Sequence, residues 1–226
     1  MSTKLFRILA ALSGIIGVIL LVISFDINPG PPANATTAQL IAFANQNSTS
    51  ILWGAWLQAV GPLLILVFAF AIVYLAGATS RLAGWMTLFG GAILMMVSLI
   101  EITFYIGTLY GTSTGLTSGD LIHAVQHLYF IVAAPALFLP LGVVILASHV
   151  LPRVLGYLAL GLGAAFAILG VVFLTHLILP AWVTAFAGIQ AFWWLAAAII
   201  LIVRPGKTSD LAPVNEQEPV GSKVNG

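Results

Sequence analysis

Six long apolar runs constrain this chain more than anything else in it. They span Ile8–Phe25, Ile51–Ala76, Leu82–Leu109, Leu121–Ala147, Val154–Leu179 and Trp182–Val203. About 20 consecutive apolar residues cross the hydrocarbon of a bilayer, and in hydrocarbon only a helix or a closed barrel satisfies its own backbone. Runs this long and continuous predict helices. The rest of the composition agrees: 61% of the 226 residues are hydrophobic and 6% charged, against about a quarter charged in a soluble domain. Mean hydropathy is +1.14. The lipid bilayer is therefore the solvent. The first run follows Lys4 and Arg7 as a signal peptide would, but it exceeds the usual 7–15 apolar residues of one and is read as a helix.

The expected fold class is an all-α membrane protein of six transmembrane helices, with residues 1–206 as one domain. All seven Lys and Arg fall on one side of such a six-span count. Lys4 and Arg7 precede the first helix. Arg81 separates the second and third, Arg153 the fourth and fifth, and Arg204, Lys207 and Lys223 follow the sixth. The opposite loops, at 26–50, 110–120 and 180–181, hold none. Positive charge marks the cytoplasmic side, so both termini are expected there, in a multi-pass protein of the plasma membrane. Residues 26–50 read as an outer loop. It opens on a proline-rich stretch, with a short surface helix at Thr37–Asn45. Residues 207–226 read as a disordered cytoplasmic tail.

A spacing repeats. Arg7, Arg81 and Arg153 are each followed at +3 and +10 by small residues: Ala10 and Gly17, Gly84 and Gly91, Gly156 and Gly163. Gln58, Gln126 and Gln190 each lie a short way in from the outer end of an inward-running helix. Small residues permit close helix approach, and the pattern suggests three tandem hairpins about an axis along the membrane normal. Small residues and a starting arginine are also common in membrane helices.

Ionisable groups inside a span are costly and mark functional sites. At 1.5 Å per residue, Glu101, His127, Gln58, Gln126 and Gln190 come to one level, about 8–12 Å from the outer end. Asp120, His123 and His127 share a face at i, i+3 and i+7, and Ser98, Glu101 and Tyr105 share another. A site of Glu101, His123, His127 and His176, with Gln126 and Tyr105 beside it, is the sharpest candidate. His123, His127 and Glu101 form a conceivable metal-ligand set, and His127 with His176 could clamp a haem. The plainer account has His123 and His176 at the headgroup level, Asp120 facing its helix dipole, and Glu101 locking two helices through a His or Gln. Pro62, Pro135 and Pro140 free the carbonyls of Gln58, Ile131 and Ala136.

Excluded are thiol chemistry and disulfides, for want of cysteine. No basic patch invites nucleic acid. HAVQH lacks the Glu of HExxH, and no Walker loop or GxSxG occurs. The Lys4/Arg7 start, NPGPP at 28–32, IEITFYI at 100–106 and DLIHAVQH at 120–127 together resemble uncharacterised bacterial six-span membrane proteins of unknown function. That resemblance implies a six-helix fold and no activity. The functional expectations are a binding protein for a metal ion, a haem or a small amphiphile; a small proton-coupled transporter; a metal-dependent membrane enzyme, which the missing motifs disfavour; or an accessory subunit with a membrane-protein partner or a second copy of itself.

Overall fold

A computed structural model describes residues 2–28, 36–110, 118–173 and 180–204. Among these residues every regular element is helical: α1 (Thr3–Ile27), α2 (Thr37–Leu75), α3 (Leu82–Tyr110), α4 (Ser118–Leu128), a π-helical segment (Tyr129–Ala133), α5 (Ala134–Ala147), α6 (Arg153–Phe173) and α7 (Pro180–Val203). α4, the π segment and α5 follow without a break and make one span. Six helices are thus long and apolar enough to cross a membrane. Their outer faces carry large apolar side chains such as Leu9, Ile16, Leu63, Phe89, Ile168 and Phe192, all exposed. In water that surface would be untenable; in lipid it costs nothing. The chain is a multi-pass membrane protein.

The helices are arranged in chain order around a ring. α1 packs closely on α2, α2 on α3, α3 on α4 and α5, and α5 on α6, while α7 returns to α1. The backbones of α6 and α7 barely meet. Large side chains bridge that gap: Phe166 of α6 lies 5.2 Å from Phe186 of α7, ring centre to ring centre. The Trp193 indole N–H of α7 donates to the Leu155 carbonyl of α6 at 3.1 Å. Phe68, Phe138, Phe166 and Trp194, all nearly inaccessible, fill the bundle centre.

Glycines set the tight contacts. A Cβ on Gly17 would lie 2.7 Å from the Gly61 carbonyl, and one on Gly61 2.9 Å from the Gly17 carbonyl, so α1 and α2 touch backbone to backbone. A Cβ on Gly90 of α3 would lie 2.0 Å from the Ala136 carbonyl of α5. That is the carbonyl which Pro140, having no N–H, leaves without its helical partner. The turn from α2 to α3 is a Schellman cap: Gly77 N–H donates to Tyr74 O and Ala78 N–H to Val73 O, each at 3.0 Å. Gly77 has φ +60°, which a glycine adopts without strain.

The region expected as an outer loop over 26–50 needs correction. Asn28 ends α1, and from Thr37 onward the chain is one continuous helix to Leu75 rather than a short surface helix followed by a span. No Gly or Pro interrupts residues 37–53, and the polar run at 45–50 lacks the means to stop a helix already nucleated. A capping box starts it: Gln39 N–H donates to Thr36 Oγ1 at 3.3 Å, and Thr36 N–H to Gln39 Oε1 at 2.8 Å. Its 39 residues measure about 58 Å at 1.5 Å each, roughly twice the hydrocarbon thickness. The surplus is packed, since Phe43 and Ile51 meet Tyr105 and Leu109 of α3 and Ile122 of α4.

One end of the ring is marked by arginines: Arg7 at the start of α1, Arg81 between α2 and α3, Arg153 at the start of α6 and Arg204 after α7. Arg7 Nη2 donates to the carbonyls of Leu201 at 3.1 Å and Arg204 at 2.7 Å. A cation thus meets the negative end of α7 and ties the last helix to the first.

Candidate functional site

Glu101 lies two turns before the end of α3, at the bundle end opposite the arginines, and is half-buried. Two amides from other helices hold it. Gln58 Nε2 of α2 donates to Glu101 Oε2 at 2.7 Å, and Gln126 Nε2 of α4 donates to Oε1 at 3.5 Å. The first is a short bond and the second a long one. Gln58 is 2% exposed, so its amide has no recourse to solvent.

Pro62 makes this geometry possible. It removes the N–H that would bond the Gln58 carbonyl, and the Ser98 hydroxyl takes the vacancy, donating to Gln58 O at 3.2 Å. Ser98 and Glu101, one turn apart on α3, therefore grip the main chain and side chain of the same α2 residue. Tyr105, buried one turn beyond Glu101, and Tyr129 in the π segment both lie within electrostatic reach of Glu101. The Tyr129 hydroxyl donates to Gln190 Oε1 of α7. The π segment presents that tyrosine: Ala134 N–H bonds back to Tyr129 O across five residues, one residue before Pro135.

Four of the six sequence-expected residues have described side chains. Glu101 and Gln126 bond to each other, Tyr105 is beside them, and His127 is half-buried on α4. α4 meets the carboxylate through Gln126, one position before His127. The His123 backbone lies in α4, but its side chain is outside the described residues, as is all of His176. Residues 207–226 are outside them too. Among the described residues no group of three or more His, Asp or Glu comes together. Glu101 bonds to two neutral amides, and no cation among the described residues pairs with it.

Gln58 and Tyr129 are the members that residue-type reasoning leaves out. Gln58 has the same depth as Glu101, which is a signal; Tyr129 has none, because a tyrosine in an apolar run reads as packing. The other half of the span is chemically quiet. Thr87 and Ser13 donate to carbonyls of their own helices, Ala83 O at 2.8 Å and Ala10 O at 2.6 Å.

Compared with known proteins, the chain matches no protein-family model, no curated protein and no solved structure. The likeness to bacterial six-span proteins therefore rests on the four segments that carry it.

Proposed function

We propose that this protein is an integral plasma-membrane protein that binds a small ligand at the Glu101 cluster, reached from the outer face. The observation that carries this is a carboxylate inside a span that, among the described residues, bonds to the amides of Gln58 and Gln126. A helix lock needs no net charge, since a glutamine in its place would bond as well. An ionisable group retained at membrane depth points to a ligand that is cationic or donates a hydrogen bond. A metal ion, a haem or a small amphiphile with a hydroxyl or amine head all qualify. His123, His127 and Glu101 would be the ligands of a transition metal, with His176 completing them or facing His127 across a haem.

A proton-coupled transporter is the weaker reading, because it needs a polar path through the aromatic and aliphatic half of the bundle. Both termini are cytoplasmic under this proposal, by the side on which the arginines lie, and the helices form three tandem hairpins. The test is purification in detergent with metal analysis, a visible spectrum and a thermal-unfolding screen against metals, haem, quinones and simple cations. A bound species, or a ligand that stabilises the wild type and not Glu101→Gln, supports a binding site. No bound species in wild type or His127→Ala removes the metal and haem readings.

A further inference from the structure

Resting on the reading of Glu101 as a binding site, we propose that its ligand is a hard monovalent cation, sodium. The residues that meet there can supply a donor set of oxygen. Glu101 supplies two carboxylate oxygens, Ser98 a hydroxyl 3.2 Å from the Gln58 carbonyl, and Gln58 that Pro62-released carbonyl. Gln58 and Gln126 add side-chain amide oxygens within one bond rotation, since each amide can present nitrogen or oxygen to the carboxylate. The nitrogens face Glu101, at 2.7 and 3.5 Å, and a cation between them would turn the oxygens inward. Broken helical hydrogen bonding that leaves carbonyls beside a carboxylate is a recurring way of holding sodium at membrane depth.

An independent feature lies at the contact of α1 with α2. Asn28 is 8% exposed and its Oδ1 has no partner among the described residues. It abuts Gly54, where a Cβ would stand 2.6 Å from the Asn28 Cβ. Gly54 is one turn before Gln58 on α2, so an unpartnered acceptor sits against the turn of α2 that precedes Gln58. A buried acceptor left without a donor is costly.

Charge selects the valence. One carboxylate, with no second acid or cation bonded to it among the described residues, neutralises one positive charge when it is deprotonated. A divalent ion would leave an excess charge in the span, and hard oxygen donors do not favour a soft transition ion.

The test is equilibrium binding of radioactive sodium to the purified full chain in detergent, with choline holding ionic strength constant. The wild type is expected to bind saturably at one site, and excess potassium or calcium to compete poorly. Glu101→Gln should abolish binding. Ser98→Ala, which keeps the carboxylate, should weaken it about tenfold in the folded protein, equivalent to the loss of roughly 1.4 kcal/mol. If sodium does not bind while another member of the thermal screen stabilises the wild type through Glu101, the sodium assignment falls and the binding site stands. If neither sodium nor any screened compound acts through Glu101 in a folded protein, both fall. Sodium binding that Glu101→Gln and Ser98→Ala leave unchanged also overturns the assignment.

Discussion

At the scale of single residues, the chemistry turns on who pays the desolvation of Glu101. Gln58 and Gln126 each donate one amide hydrogen to it. A glutamine at position 101 still accepts from a neighbour and removes a buried charge, so Glu101→Gln should leave thermal stability unchanged or raise it. Glu101→Leu should lower it by about 1–3 kcal/mol for each amide left unpaired, because the buried Gln58 has no water to turn to. Unfolding midpoints of the three proteins under one condition decide this; a leucine variant as stable as wild type would mean that the two bonds carry no energy. Glu101 was legible from sequence because an acid inside a 28-residue apolar run has no trivial explanation. Depth alone also brought Gln58 and Gln126 to its level. Which neighbour on α4 makes the bond was not legible, since Gln126 and His127 differ by 100° of helix rotation, finer than a depth estimate resolves.

At the scale of elements, prolines and glycines do complementary work. Pro62 frees a carbonyl that Ser98 satisfies; Pro140 frees one that lies against Gly90. Both releases follow from sequence by the i−4 rule, whereas their new partners are on other helices and come only with the fold. The boundary error over residues 26–50 has a different cause. Hydropathy reports where lipid begins, and α2 continues past that point because its polar residues bond locally, as Asn47 Nδ2 does to Phe43 O at 2.9 Å. The T-x-x-Q capping box at Thr36 is the sequence signal for that start. Thr36→Ala should cost the first turns about 1 kcal/mol, visible as faster amide exchange near Gln39–Ala42 with the transmembrane part of α2 unaffected. Equal exchange in both proteins would show the extension held by its packing on α3 and α4 alone.

At the scale of the molecule, six spans and a ring in chain order leave α6 and α7 as the loosest seam, filled by Phe166, Phe186 and Trp193 rather than by backbone contact. The number of spans was plain from the apolar runs. The ring closure was not, because Arg7 reads as a topology signal and only the fold reveals that it also holds the carbonyls of Leu201 and Arg204. A reporter fused after Gly226 should read cytoplasmic; a signal from the opposite side would reverse the proposed orientation and with it the face from which Glu101 is reached. The central claim, that Glu101 is a ligand site and more than a lock between helices, is tested most directly by thermal unfolding of the wild type and Glu101→Gln with and without ligand. A ligand-dependent rise in the wild-type midpoint is expected, absent from the glutamine variant while that variant remains folded. Midpoints that rise equally in both proteins, or in neither across the whole screen, would contradict it.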